Sequence, residues 1–558
     1  MLFNLTLYIS LGICGLGLLY QFGRWFTLKL GEEAQTHGPG ERLAQALAGI
    51  FKSIFGPGIV KMAVAFVVDV LLLRRVWRES SYRWLMHMCI FYGFMGLLLF
   101  HALEKQVSLS LFAGYSPTIN PFLFLRNLFG ALVLVGVGMA IWRRATNPGV
   151  KRTTNWQDKV SIVLLAVIML SGIALEAVKI PSPDAFKRMV NDYGMFEGEE
   201  LKSLQLYWQE EFGSSFPGKR IAMDKDVFAQ GKDLHQQACA SCHSKPQVAF
   251  LSYPISRIFA AGAGSLDFAG WANTLRIVHF LACFIGLAFL PFSKFFHIIT
   301  STLCLLTASV LDPKTAHPAN LATARAMWLT ACTHCSTCTI NCSVRTHQER
   351  FGVSEVLPSE KLAAYCKSAG KGDAQSLADL RLGDDLCTRC HRCTEVCPVG
   401  INLQELWFGL AQDLDRLGPP ALYEQARARA AAKAEKWDKT DGKAVRLVRK
   451  PLPKVPGWPD KSAFRYCFQC QTCTNSCPVV ASFERPMDHL DMLPHQIMHS
   501  LGLSMLDNAA AAAMTWQCLT CYNCQEACPQ GVPVTDVLYG LRNLSFALPG
   551  RPKADTAA

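Results

Sequence analysis

Sixteen cysteines in the second half of the chain repeat one spacing, C-x2-C-x2-C-x3-C, four times. The runs are Cys332, Cys335, Cys338, Cys342; Cys387, Cys390, Cys393, Cys397; Cys467, Cys470, Cys473, Cys477; and Cys518, Cys521, Cys524, Cys528. Thiols this dense must converge on metal, and the spacing is that of 4Fe-4S clusters. Zinc is the rival, but it takes paired C-x2-C ligands closed by an independent pair rather than repeated quartets. Among the 23 cysteines, Cys14, Cys89, Cys283, Cys304 and Cys366 receive no ligand role. The first four lie in apolar runs and read as small core residues.

In two-cluster ferredoxins the first three cysteines of a run close around one cluster and the fourth reaches the other. The expected ligand sets are therefore Cys332, Cys335, Cys338 with Cys397; Cys387, Cys390, Cys393 with Cys342; Cys467, Cys470, Cys473 with Cys528; and Cys518, Cys521, Cys524 with Cys477. Within each pair the runs stand 44 and 40 residues apart, too far for a compact ferredoxin, and helical patterns such as PHQIMHSLGLSMLDNAAAAAMTW fill the gaps. Two α-helical two-cluster modules are expected, over 311–415 and 463–545. The linker 416–462 reads as an Ala- and charge-rich helix (421–439) and an extended Pro-rich stretch (451–459), and the tail 546–558 as disordered.

The first half is different. A hydrophobic content of 51% and a mean hydropathy of +0.19 put part of the chain in lipid. Apolar runs at 5–25, 82–103, 122–142, 160–178 and 271–304 make five expected crossings. The first lacks the cationic start and small-residue cleavage site of a removable signal peptide. The run 59–73 is shorter, contains Lys61 and Asp69, and reads as an amphipathic surface helix. Short-loop charge sets the orientation: 29–83 carries eight Lys or Arg and 143–159 five, whereas 104–121 has only Lys105. Those basic loops account for much of the net charge of +12, which excludes nucleic acid as the expected partner. The expectation is a multi-pass cytoplasmic (inner) membrane protein: spans one to four and the surface helix over 1–178, a periplasmic segment over 179–271, the fifth span over 272–310, and the cysteine runs in the cytoplasm.

Within the periplasmic segment, Cys239-Ala-Ser-Cys242-His243 is the attachment signature of one c-type haem, two thiols bonding its vinyl groups and His243 ligating iron. For the sixth ligand His235, Met195 and Met223 are candidates. In the spans, His279 and His297 stand eighteen residues apart. On one continuous helix that is five turns, one face and roughly 27 Å. His87 and His101, fourteen apart on the second span, also share a face. On antiparallel helices His87 is level with His297 and His101 with His279, giving two bis-imidazole sites for two b haems. His101, Glu104, Lys105 and Glu176 cluster at the outer surface and are candidates for quinone hydrogen bonding and proton transfer.

Two same-face histidines in the second and fifth of five spans resemble the cytochrome b subunit of respiratory nitrate reductase. The stretch Asp69-Val-Leu-Leu-Leu-Arg-Arg-Val-Trp-Arg-Glu-Ser, followed by Arg83-Trp84-Leu-Met-His87, resembles the cytochrome b subunits of heterodisulfide reductase and of sulfite-reduction membrane complexes. The passage from Thr515 to Pro529 followed by VPVTDVLYGLRNL resembles heterodisulfide reductase iron-sulfur subunits. The first resemblance, over residues 1–310, implies quinol oxidation or quinone reduction, with menaquinone as the carrier; the inserted c-type segment departs from nitrate reductase cytochrome b.

The expected fold is all-α, a five-span membrane helical bundle followed by two α-helical two-cluster ferredoxin modules. The expected function is that of the electron-transfer subunit of a quinone-linked respiratory oxidoreductase, with a cytoplasmic heterodisulfide-reductase-like or flavin subunit as partner. The alternative is a quinone-independent conduit between a periplasmic cytochrome c and that cytoplasmic partner. The chain has no Cys-Cys-Gly run, Gly-rich nucleotide loop or hydrolytic constellation, so terminal catalysis is expected on a different polypeptide.

Overall fold

The computed structural model describes residues 2–547 except 148–149, 152–153, 217–219, 262–267, 346–347, 349–351, 370–371, 439–463 and 465. The expected Pro-rich stretch 451–459 and the tail from 548 lie outside the described residues. The described residues are helical, with no strand among them. The chain divides into two units, Met1–Gln21 with Val76–Phe296, and Phe22–Arg75 with His297–Ala558.

Among the described residues, five helices are long and apolar enough to cross a membrane: Leu2–Thr27, Ser81–Ala102, Phe122–Thr146, Trp156–Lys179 and Gly270–Phe292. In the first unit the second and third spans approach through glycines. A Cβ on Gly93 would stand 2.8 Å from Phe129 O, and one on Gly136 would stand 2.9 Å from Met86 O. Lipid offers no hydrophobic drive between helices, so small residues that let backbones touch supply the packing. Val133, Val137, Leu165 and Met169 form the buried core between the third and fourth spans, with Ile90, Phe94 and Leu97 of the second packed against it. The second span changes at its end: residues Leu98–Ala102 are π-helical, so the 3.6-residue register that relates His87 to His101 stops at Leu97.

The closing span differs from expectation. Its helix, Phe268–Phe289, gives way to 3-10 turns at Leu290–Phe292 and Lys294–Phe296, and a new helix runs His297–Val310. Pro291 has no N–H to continue the ladder, and its ring crowds the preceding turn. The freed Pro291 carbonyl accepts a hydrogen bond from Gln21 Nε2 at 2.8 Å. Gly17 makes room for the break, since a Cβ there would meet Phe292 at 2.7 Å and Pro291 at 2.8 Å. The single helix with His279 and His297 five turns apart is therefore absent: His279 lies in the first unit and His297 opens a helix of the second.

The expected surface helix 59–73 is observed as Gly58–Ala65 continued by a π-helical Phe66–Leu71. It forms, with Pro39–Ile54, a pair bent by 88° that would make a sixth, broken span if counted as one. In the second unit this N-terminal segment is part of the same body as the cysteine modules. Arg42 is buried, donating to Leu28 O at 2.7 Å and to Ala322 O at 3.0 Å. Arg325 pairs with Glu33 and Glu405, and Gly31 N donates to Asp413 at 3.0 Å. The expected linker helix is present as Leu422–Asp438.

Candidate functional site

The four cysteine runs share one backbone device that the sequence alone does not announce. The second and fourth residues after each leading cysteine adopt positive φ: His334 and Ser336, Arg389 and His391, Gln469 and Gln471, Thr520 and Tyr522, all between 49° and 66°. None is glycine, and the left-handed region costs an ordinary residue roughly 1–2 kcal/mol. Held eight times in the same places, that conformation turns successive thiols inward. Amides follow: His334 N stands 3.4 Å from Cys332 Sγ, Thr520 N 3.5 Å from Cys518 Sγ, and Val532 N 3.4 Å from Cys528 Sγ. N–H groups aimed at sulfur stabilise metal-bound thiolate.

Cys332, Cys335 and Cys338 line one cavity with Cys397, which comes from the other run, together with Pro358, Leu362 and Ile401. Cys342 feels the charges of Cys387, Cys390 and Cys393; burial, first of all, pushes its thiol up to about 12. In the second module Cys518 feels Cys477 and Cys521, while Cys473 feels Cys467 and Cys470. Cys528 packs against the buried core that contains Cys473 and Cys477. Thiols raised by burial carry protons until metal displaces them. These groupings suit iron-sulfur ligation in donor type and convergence.

In the membrane unit, His101 and His279 face each other with ring centroids 6.1 Å apart. Two metal–imidazole bonds of about 2 Å, plus the ring radii, set opposed imidazole centroids roughly 6 Å apart across one iron. His279 Nδ1 lies 3.1 Å from Ile168 O, to which it donates, and 3.1 Å from Ser171 Oγ, so Nε2, 3.9 Å from Cys283 Sγ, is the nitrogen that would take iron. Gly172 admits the ring: a Cβ there would stand 3.0 Å from His279 Cε1. His101 Nδ1 accepts from Arg126 at 3.1 Å. Were His101 to hold iron through Nε2, its proton would sit on Nδ1 and that bond would be lost, leaving the guanidinium for another acceptor. His87 and His297 belong to different units.

Of the quinone candidates, Glu176 accepts from Asn127 Nδ2 at 3.1 Å, and Asn127 Oδ1 in turn accepts from Leu251 N at 3.2 Å and Ser252 N at 3.3 Å. Glu104 and Lys105 lie in a π-helical turn, Glu104–Ser108, with Lys105 exposed. Arg126 and Asn127 were missed by sequence reasoning. A cation and an amide standing together in the apolar run Phe122–Thr146 were the available signal, because polar groups at membrane depth are costly unless used.

The c-type motif follows the helix Lys225–Ala238, capped by Asp224 and crossing Gly198–Glu211 so closely that a Cβ on Gly231 would meet Ser203 O at 2.0 Å. Cys239 is buried with Phe186, Tyr207, Trp208 and Phe212, and burial raises its thiol to about 11. Trp208 packs edge-on against His243 at 5.5 Å. Among the sixth-ligand candidates Met195 and Met223 are 84% and 60% exposed, while His235 is buried with its Nδ1 unpartnered among the described residues. Burial, then the nearby His243, holds the His235 pKa down at about 4, so the ring is neutral at physiological pH. The motif is tied to the loop between the second and third spans: Thr118 Oγ1 donates to Cys242 O at 2.6 Å, and Ser244 N to Thr118 O at 3.1 Å. It therefore lies on the side of the bundle where His101 ends its span.

Comparison with known proteins adds names to these regions. Residues 63–193 match the family described as the E subunit of dihydromethanophenazine:CoB–CoM heterodisulfide reductase, a match that includes His87 and His101 and ends before the c-type motif. Residues 328–401 and 463–532 each match a 4Fe-4S dicluster domain. The iron-sulfur C subunit of the CoB–CoM heterodisulfide reductase of Methanopyrus kandleri is 39% identical over 79 residues, 14% of this chain and 38% of that protein. The C2 subunit of the H2/formate:CoB–CoM heterodisulfide,ferredoxin reductase of Methanococcus maripaludis is 34% identical over 113 residues, 20% of this chain and 55% of its own. The E subunit of the dihydromethanophenazine enzyme from Methanosarcina thermophila is 30% identical over 119 residues, 20% of this chain and 45% of that protein. The chain thus spans between about two-fifths and just over half the length of these curated relatives. No solved structure matches. This is a membrane protein that joins a cytochrome b region like that of the heterodisulfide reductase E subunits to two 4Fe-4S dicluster domains, with relatives among the C and E subunits of heterodisulfide reductases.

Proposed function

We propose that the chain is the membrane electron-transfer subunit of a quinone-linked respiratory oxidoreductase. Electrons pass between menaquinone, two b haems, one c haem and four 4Fe-4S clusters, and on to or from a cytoplasmic heterodisulfide-reductase-like or flavin subunit. The observation that carries this reading is the opposed His101 and His279 pair beside Arg126 and the Glu176–Asn127 hydrogen bond. A quinol needs a nearby electron acceptor, a hydrogen-bond donor and a proton acceptor; a haem held by the histidine pair would be the first, and Arg126 and Glu176 supply the other two kinds of group. For a second b haem, His87 and His297 are the candidate ligands read from the sequence. Loop charges support a periplasmic c haem and cytoplasmic clusters. In the clusters, the ligand sets are the four crossed groups of cysteines, each three from one run with one from its partner.

The test is addition of a reduced menaquinol analogue to membranes while haem b absorbance is followed, with and without a quinone-site inhibitor. Inhibitor-sensitive haem b reduction is expected. A second reading, a quinone-free conduit from a periplasmic cytochrome c, draws on the hydrogen bonds between the Cys239–His243 loop and the loop at Thr118, which bring the c-type motif to the His101 side. Absence of quinol-driven reduction, with exchange between an external cytochrome c and the clusters intact, would favour it. Covalent haem is expected on this chain by peroxidase stain after denaturing electrophoresis, and to vanish in Cys242→Ala; persistent stain would dismiss the attachment site.

A further inference from the structure

The two cysteine modules are internal repeats, and aligning their landmarks sets a buried charged group of the first against uncharged residues of the second. Each module has a helix opening on proline, Pro358–Ser368 and Pro494–Gly502, whose second residue meets the threonine that follows the third cysteine of the leading run. Ser359 N donates to Thr339 Oγ1 at 3.2 Å, and His495 N to Thr474 Oγ1 at 3.5 Å. In that register Lys361 corresponds to Ile497, and both are completely buried. Counting from the cysteines, Asp384 corresponds to Thr515, Arg389 to Thr520 and Trp407 to Leu538.

The first module therefore holds a charged group where the second holds aliphatic and hydroxyl side chains. Lys361 Nζ lies 3.5 Å from Asp384 Oδ1 and 4.9 Å from the centre of the Trp407 ring. Asp384 also pairs with Arg389 at 2.9 Å. Burial disfavours the ammonium, but the negative charges at Cys387, Asp384 and Cys393 outweigh it and keep the Lys361 pKa above that of ordinary lysine. Other charges face this run. Asp385 is one, and Arg542 is another, its guanidinium donating to Cys518 O of the second module at 2.8 Å. Lys361 is thus a buried cation of the first module whose counterpart, Ile497, carries no charge.

We propose that Lys361 raises the reduction potential of the cluster on Cys387, Cys390, Cys393 and Cys342 by holding a buried cation beside it, where the second module has Ile497. The inference rests on the crossed cysteine pairing proposed above. Cluster potential follows local net charge, and a cation removed from water acts with little screening. In the step concerned, the oxidised cluster takes one electron from a neighbouring cluster, which is reoxidised. Lys361 keeps its proton throughout and acts only through its field, as a positioning residue for charge.

The experiment is a dithionite redox titration of the anaerobically purified full-length chain, followed by electron paramagnetic resonance, with the signal assigned by its change in Cys390→Ser. At the wild-type midpoint, Lys361→Met is expected to lower the reduced-to-oxidised ratio of that cluster about tenfold, a fall of roughly 59 mV for a one-electron couple. Lys361→Arg should retain the wild-type value, and Asp384→Asn should move the midpoint upward. The upward shift provides an independent test if Lys361→Met fails to assemble. An unchanged midpoint in iron-replete Lys361→Met, or a fall in Asp384→Asn, overturns the role of Lys361. Cys390→Ser altering two cluster signals, or wild-type protein without four iron-sulfur signals, overturns the cysteine reading instead.

Discussion

His279→Ala protein is expected to carry about half the noncovalent haem of wild type, with covalent haem and iron content unchanged. The expectation follows from the ring's surroundings. His279 is held by Ile168 O and Ser171 Oγ, each 3.1 Å from Nδ1, and its centroid stands 6.1 Å from that of His101. A ring fixed in that way offers Nε2 at little further entropic cost, which is the usual role of a hydrogen bond behind a metal-binding imidazole. Gly172→Val should reproduce much of the loss without touching a ligand, because even a Cβ there would lie 3.0 Å from the imidazole. Ser171→Ala should be milder, since Ile168 O remains as acceptor. Pyridine haemochrome analysis of purified protein reads all three. Full noncovalent haem in His279→Ala would show that the His101 and His279 pair holds no haem.

Cys397→Ser should cost roughly a quarter of the iron, and the spectral signal lost should be the one altered by Cys335→Ser rather than the one altered by Cys390→Ser. Cys397 belongs by sequence to the run that begins at Cys387, yet it lines the cavity of Cys332, Cys335 and Cys338. Were each run to hold its own cluster, Cys397→Ser would instead change the signal tied to Cys390. Iron and acid-labile sulfide analysis with resonance spectra of the three variants separates these outcomes. The crossed arrangement also explains why the modules are built as they are: runs 44 and 40 residues apart can share ligands only if the intervening helices fold back and return the second run to the first. The buried core around Leu490, Ile497, Met498, Leu501 and Leu538 does this in the second module.

Much of the architecture was legible locally. Apolar runs located, to within a few residues of most ends, the five helices among the described residues that are long and apolar enough to span, because a lipid-crossing helix must be apolar throughout and satisfy its own backbone. Cysteine spacing announced the clusters, since ligand geometry is set by neighbours only a few residues away. What the spacing could not carry was whatever depended on the partner across the fold. Pro291 is plain in the sequence, but whether it bends a helix or ends it was decided by Gly17 and Gln21 receiving the break, which removes the long helix expected to carry both His279 and His297. The π-helical turn at Leu98–Ala102, which orients His101, likewise has no periodic signature. Arg42 and Arg325, ordinary surface cations by pattern, attach the N-terminal segment to the cysteine modules through partners about 280 to 290 residues away. Short-range sterics and ligand spacing determined the elements and their chemistry; long-range hydrogen bonds and backbone contact decided which of them face one another, because those energies exist only once the chain has folded.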